Sequence, residues 1–141
     1  MNILYATKVT ATGGRHGAIR SDDGLLDLEL ALPRQLGGKG GATNPEQLFA
    51  GGYAACFENA LLRVGREAGH QFADDEVEVV AEIGLSRNEA DAFVLAASLA
   101  VTVTGVDQPT AETLVQRAHG ICPYSNAIRG NVDVAITVTA R

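Results

Sequence analysis

A chain of 141 residues is of a size for one domain with a core of its own, and folding at that length buries roughly 68–70% of the unfolded surface. Its 11 Lys and Arg against 17 Asp and Glu give a formal charge of −6, and there is no basic run to track a nucleic-acid backbone or an anionic membrane, so both are excluded as expected partners. With aromatic residues at only 5%, the core has to be built from Ala, Val and Leu.

In chain order, the first third alternates with period two. Ile3, Tyr5, Thr7 and Val9 share one parity, Gly13-Gly14 follow, and Ala18 to Arg20 lead to the turn signal Asp23-Gly24. A third strand, Leu26 to Leu30, puts Leu26, Leu28 and Leu30 on one face and is closed by Pro33, which predicts a three-strand meander. The glycine-rich run Gly37 to Gly41 reads as a loop. A helix then starts with strong punctuation: Asn44 suits the cap, Pro45 the first helical position and Glu46 the electropositive first turn. From Gln47 to Gly69 this segment is apolar over more than half its circumference, which predicts a helix buried on several sides. Gly51-Gly52 are poor helix interior, and a break or sharp bend is expected there.

Two strands follow, Val77 to Leu85 and Phe93 to Thr104, joined by the polar turn Ser86 to Asp91 as a hairpin. Pro109 to His119 reads as a second helix, Cys122-Pro123-Tyr124-Ser125-Asn126 as a short turn or helix start, and Val132, Val134, Ile136 and Val138 as a final strand. The order βββ-α-ββ-α-β predicts an α+β fold, and the lack of repeat, low-complexity tail or linker predicts a single domain over residues 1–141. One thin sheet would leave the long helix partly uncovered, and a homodimer is the simple remedy.

The N-terminus MNILYATKVT lacks the charged and apolar blocks of an export signal. The longest apolar stretch, around Phe93 to Val106, is interrupted by Ser98, Thr102 and Thr104 and is shorter than the ~18 residues of a membrane span. A cytoplasmic protein with no membrane association is expected. His16, His70 and His119 show no metal-ligand spacing with each other or with the cysteines, so no metal is expected. Lys39 in the glycine loop is followed by Gly40 rather than Ser or Thr, which fails the phosphate-loop pattern.

The chemistry rests on two cysteines. In a reducing compartment a distant pair points to a transient disulfide rather than a permanent staple. Cys56 reads either as a small apolar residue of a buried helix or as a nucleophile. The second reading needs a thiolate, and lowering a thiol from ~8.5 to ~6 takes about 3 kcal/mol of differential stabilisation. Arg15, flanked by Gly13-Gly14 and Gly17, could supply it if a carboxylate such as Glu46 orients the guanidinium by a bidentate pair; a solvated turn arginine is the alternative. Ten residues of unbroken helix would separate Glu46 from Cys56 by about 15 Å, so either the helix breaks or Arg15 spans the distance. Cys122, between Gly120 and Pro123, is biased away from helical geometry; a thiol on a mobile turn would suit a resolving role, and an incidental buried thiol is the other reading.

Three separated motifs carry a resemblance that covers essentially the whole chain. Thr43-Asn44-Pro45-Glu46-Gln47-Leu48-Phe49-Ala50, running into Gly52-Tyr53-Ala54-Ala55-Cys56-Phe57, closely resembles the signature of the organic hydroperoxide resistance proteins of the Ohr/OsmC family. Cys122-Pro123-Tyr124-Ser125-Asn126-Ala127 with Arg129-Gly130-Asn131 resembles that family's second motif, and Gly13-Gly14-Arg15 its arginine loop. Gly51, His16 and Glu58-Asn59 depart from many members without touching the four chemical positions.

The resemblance implies Cys56 as peroxidatic cysteine, Cys122 as resolving cysteine, and Arg15 with Glu46 as the polar network around the thiolate. It also implies an intertwined homodimer with central buried helices wrapped by antiparallel sheets, organic and fatty-acid hydroperoxides as substrates, and no bound cofactor. Electrons would come from lipoyl groups such as dihydrolipoamide, through a lipoylated protein and a lipoamide dehydrogenase system. Leu36, Phe49, Phe57, Phe93, Tyr124 and Ile128 are the candidate walls of an apolar peroxide pocket. The rivals are an osmotically inducible peroxidase of the same fold and a non-enzymatic redox-sensing dimer. The Cys-Pro-Tyr-Ser-Asn segment favours the organic-peroxide branch over the first, and the lack of any DNA-reading motif speaks against the second.

Overall fold

Alternation and turn chemistry build the N-terminal strands. In the computed structural model, which describes residues 1–141, β1 (Val9–Thr12), β2 (Ala18–Ser21) and β3 (Asp27–Glu29) form an antiparallel meander, with Val9 opposite Ser21 and Ala18 opposite Glu29. The Asp23-Gly24 turn is closed by the half-turn hydroxyl of Ser21, which donates to Asp23 Oδ1 at 2.6 Å and accepts from the Leu26 N–H at 3.0 Å. The first strand does not extend back to Ile3 as the alternation suggested. β2 is only four residues long and its ladder with β1 ends at Val9, so Ile3, Leu4 and Tyr5 have no strand to pair with and stand exposed.

Asn44 caps the first helix as expected, its side-chain oxygen accepting from the Gln47 N–H at 2.9 Å. This helix, α1 (Pro45–Glu67), runs without interruption. The expected break at Gly51-Gly52 is absent, and Gly52 has a packing reason instead. A Cβ at this position would lie 2.7 Å from the Tyr124 hydroxyl and 3.2 Å from its ring, so the missing side chain is the space that Tyr124 occupies. α1 begins in one compact unit, Met1–Leu48, and continues through the other, Phe49–Arg141.

In the second unit α1 packs with a sheet of β4 (Val77–Arg87), β5 (Phe93–Val103) and β6 (Val134–Ala140), and with α2 (Gln108–Ile121) and α3 (Pro123–Ile128). β4 and β5 form the expected hairpin, from Val77 opposite Val103 to Arg87 opposite Phe93. Alternate residues Leu99, Val101 and Val103 point into a core shared with Tyr53, Phe57 and Leu61. The sheet is mixed rather than wholly antiparallel: β6 runs parallel to β5, Ala97 opposite Val134, because the α2–α3 crossover returns the chain to the end from which β5 started. Gln108 pins that crossover, donating to the Val138 carbonyl at 2.8 Å and accepting from the Ala140 N–H at 2.8 Å. Asp107 caps α2 through the Thr110 N–H at 2.9 Å.

Within the single chain α1 keeps one side uncovered, the partial exposure for which a second copy is the expected remedy. Tyr53, Phe57, Ala60, Leu61 and Val64 are sealed, while Gly51, Ala55, Asn59 and Arg63, four residues apart, form an exposed stripe. One three-stranded sheet cannot reach around the helix. No helix is long and apolar enough to cross a membrane.

The close approach at Gly52 gives a test. Gly52→Val would place branched carbons where the Tyr124 ring lies, and the lost stacking and forced shift should destabilise the fold by about 1–2 kcal/mol, read as a lower urea midpoint with unchanged slope.

Candidate active site

The helix period arranges the reactive stripe. Phe49, Tyr53, Cys56, Phe57 and Ala60 are spaced four, three, one and three residues apart, which at about 100° per residue keeps all five on one side of α1. Tyr53 and Phe57 are fully buried, whereas Cys56 sits at the margin of the core, half-buried. Both cysteines are free thiols.

Cys122 occupies the joint between α2 and α3 and caps both. Its backbone is extended (φ −65°, ψ 122°), as the residue before Pro123 must be, its N–H donates to Ala118 O at 2.8 Å, and its carbonyl accepts from the Asn126 N–H at 2.9 Å. It is not on a mobile turn. Its side chain is completely buried and its backbone tied at both ends, because the restriction before proline is used here to turn one helix directly into the next.

The two thiols are neighbours. Burial pushes the Cys56 thiol up, the neighbouring Cys122 adds to that by charge repulsion and by a side-chain hydrogen bond, and a hydrogen bond from the Tyr124 backbone N–H acts in the opposite direction. Such a dithiol shares its protons as a pair and is one two-electron oxidation away from a disulfide.

Behind the pair lies a polar chain that the sequence did not single out. The Tyr53 hydroxyl is 2.7 Å from Ser125 Oγ, and Ser125 Oγ is 2.9 Å from His119 Nδ1, with Tyr53 and Ser125 fully buried. Burial, then Cys122, raises Tyr53 against the lowering effect of its Ser125 bond; burial, then Arg129, lowers His119. Arg129 also donates to the His119 carbonyl at 2.6 Å and bonds Asn126. The available signal was spacing: His119 and Ser125 stand three residues before and three after Cys122, on helix faces otherwise lined by Leu114, Val115 and Ala118.

Within the first unit, Arg15 and Glu46 form a bidentate ion pair, Nη1 to Oε2 at 2.8 Å and Nη2 to Oε1 at 2.5 Å. Arg15 is carried on a 3-10 turn, Gly14–His16, entered through Gly13 and Gly14 at positive φ and left through Gly17, whose Cβ would collide with the Thr12 carbonyl at 1.7 Å. The hydrogen bond from Arg15 holds the Glu46 carboxyl below the usual carboxylate range, against a smaller opposing effect of burial, and the same bond raises Arg15.

The candidate pocket walls fall in several places. Phe49, Phe93 and Ile128 line one apolar cleft of about 320 Å³ with Ile83, Leu95 and Val132. Tyr124 borders Phe49 edge-on, ring centroids 6.1 Å apart, and stacks on Tyr53 at 5.9 Å. Phe57 is sealed in the core, and Leu36 stands exposed on the short turn Arg34–Leu36 of the first unit.

The OsmC-like protein family model matches residues 38–137. The chain is 45% identical over 137 residues to the organic hydroperoxide resistance protein of Xanthomonas axonopodis pv. citri (strain 306), covering 96% of this chain and 95% of that protein. It resembles the crystal structure of an organic hydroperoxide resistance protein OsmC from Legionella pneumophila with a TM-score of 0.92 and 51% identity, over 98% of this chain and 99% of that one. An organic hydroperoxide resistance protein from Elizabethkingia anophelis matches over 100% of both chains with a TM-score of 0.94 and 42% identity. Agreement along the full length, together with a half-buried free thiol neighbouring a sealed one, makes this cysteine-based peroxidase a member of the Ohr/OsmC family, closely related to its organic hydroperoxide resistance proteins.

Proposed function

We propose that the protein reduces organic hydroperoxides, alkyl and fatty-acid, to the corresponding alcohols, and that Cys56 is the atom that meets them. The observation that carries this reading is the unequal pair: a half-buried Cys56 thiol in contact with a sealed Cys122 thiol. The Cys56 thiolate attacks one peroxide oxygen, the O–O bond breaks, and the alkoxide leaves as alcohol after taking a proton, with Cys56 now a sulfenic acid. Cys122 sulfur then bonds to Cys56 sulfur as the S–O bond breaks, and hydroxide leaves with the Cys122 proton as water. An external dithiol, a lipoyl group in its dihydro form, reduces the disulfide by two successive exchanges and becomes a disulfide itself; its supply is a lipoylated protein and a lipoamide dehydrogenase system in the cytoplasm.

Cys56 needs a cation, since its immediate surroundings hold the thiol protonated. Arg15 is proposed for that part, stabilising the thiolate and the charge on the leaving alkoxide, with Glu46 fixing the guanidinium plane. Phe49 lies two turns before Cys56 on the same face of α1, which supports the cleft of Phe49, Phe93 and Ile128 as the seat of the alkyl chain. Tyr124, beside Phe49, is a candidate for its rim with Phe57 beneath, and Leu36 is kept as a further candidate wall from the resemblance alone. The exposed stripe Gly51, Ala55, Asn59 and Arg63 on α1 supports a homodimer in which a second copy covers that face.

Turnover tests the reading. With dihydrolipoamide present, the wild type should consume tert-butyl hydroperoxide continuously and faster than hydrogen peroxide; Cys56→Ser should lose essentially all consumption, and Cys122→Ser should react once per chain and stall. Retained turnover in Cys56→Ser, or a clear preference for hydrogen peroxide, would sink it.

Alkylation of Cys56 by iodoacetamide against pH separates the electrostatic contributions. Cys122→Ala removes two of the influences that raise Cys56, so more thiolate exists at neutral pH and alkylation should be several-fold faster. Arg15→Ala, made in the Cys122→Ala background so that only one thiol reacts, should reverse that gain and move the alkylation midpoint to higher pH.

A further inference from the structure

Tyr53, Ser125 and His119 link their polar groups inside an otherwise apolar core, and the peroxidase steps above have no use for them. Stability does not account for the chain, because a satisfied buried hydroxyl pair contributes little more than apolar groups of the same shape would. Its placement is more telling. Tyr53 stands three residues before Cys56 on α1, His119 three before Cys122 on α2, and Ser125 three after Cys122 on α3. The two hydrogen bonds, 2.7 and 2.9 Å, therefore join the helix that carries Cys56 to both helices that meet at Cys122, one turn from each sulfur. Arg129 braces the same joint from outside through the His119 carbonyl at 2.6 Å.

We propose that Tyr53, Ser125 and His119 are positioning residues for disulfide closure, fixing the approach of Cys122 sulfur to the Cys56 sulfenic acid; this rests on the peroxidase reading. Closure is sensitive to such control, since a disulfide tolerates only a narrow range of Cβ separation and torsion. In that step the S–S bond forms, the S–O bond of Cys56 breaks, and the hydroxide released leaves with the Cys122 proton as water. Cys122 sulfur is oxidised and the sulfenic sulfur is reduced. The competing reaction is attack of the same sulfenic acid on a second hydroperoxide, which gives sulfinic acid and a second molecule of alcohol. Loosening the joint therefore shifts product from disulfide to sulfinic acid.

The experiment mixes reduced full-length protein with tert-butyl hydroperoxide, quenches at intervals, and follows sulfenic acid, disulfide and sulfinic acid by intact mass. Ser125→Ala and His119→Ala should leave the second-order loss of the Cys56 thiol unchanged, slow disulfide closure about tenfold, equivalent to about 1.4 kcal/mol in barrier, and raise the sulfinic yield in excess peroxide. His119→Asn, whose side-chain amide lies near the position of Nδ1, should restore most of the closing rate. His119 is only partly buried, so its variants keep the test open if Ser125→Ala does not fold. Closure at the wild-type rate in His119→Ala, equal slowing of both steps, or no rescue by asparagine would overturn the proposal. A wild type that forms no disulfide with the peroxide would overturn the peroxidase reading, and this one with it.

Discussion

A tyrosine hydroxyl sealed from water has to find a partner in protein, and the one on Tyr53 finds Ser125 across 72 residues of chain. Around that bond the second unit is organised. Burying the Tyr53, Phe57 and Leu61 side chains supplies roughly 1.5–3 kcal/mol each and holds α1 to the sheet, but apolar burial has no direction and would tolerate a slip along the helix. The hydrogen bond has direction. It sets which turn of α1 faces the joint between α2 and α3, and hence which residue of α1 lies against Cys122. Gly52 serves the same registration from the other side by admitting Tyr124, whose ring then stacks on Tyr53.

The electrostatics are divided along the chain. The second unit brings the two sulfurs together but surrounds Cys56 with influences that mostly favour the neutral thiol. The first unit offers a guanidinium already paired in a plane with Glu46, on a turn whose geometry only glycines permit. An arginine held by a carboxylate keeps its charge at any pH the protein meets, so the pH dependence of the chemistry falls to the thiols.

Much of this was legible in the sequence where a local rule and a tertiary need coincide. Asn44, Pro45 and Glu46 announce the start of α1 because capping is settled within one turn, and the β4–β5 hairpin follows from alternation and its polar turn. Other features were illegible because distant residues decide them. Gly52 reads as a helix breaker in isolation and becomes a contact only once Tyr124 is beside it. The parallel pairing of β6 depends on the direction of a crossover. The alternation of Ile3, Tyr5 and Thr7 forms no ladder, since nothing in the chain pairs with it. The cysteines themselves stood out by type, yet no spacing rule puts residues 56 and 122 in contact, and only the family resemblance joined them before the fold did. The pairing of His119 with Ser125 is illegible because a single histidine and a single serine carry no pattern of their own.

If the proposed cycle operates, the sealing of Cys122 fixes the order of events when the oxidised enzyme is reset. An incoming thiolate can reach a disulfide only through the sulfur that faces outward, and that sulfur belongs to Cys56. In the proposed cycle the mixed disulfide with the reductant would therefore form at Cys56, with Cys122 as the leaving group, expelled into an interior that cannot hydrate its charge. A reductant with one thiol is left attached at that point, and the released Cys122 sits in the best place to drive it off again. One with two thiols completes the second exchange within the same encounter. In that cycle the burial of one side chain would by itself favour a reductant with two thiols over one with a single thiol.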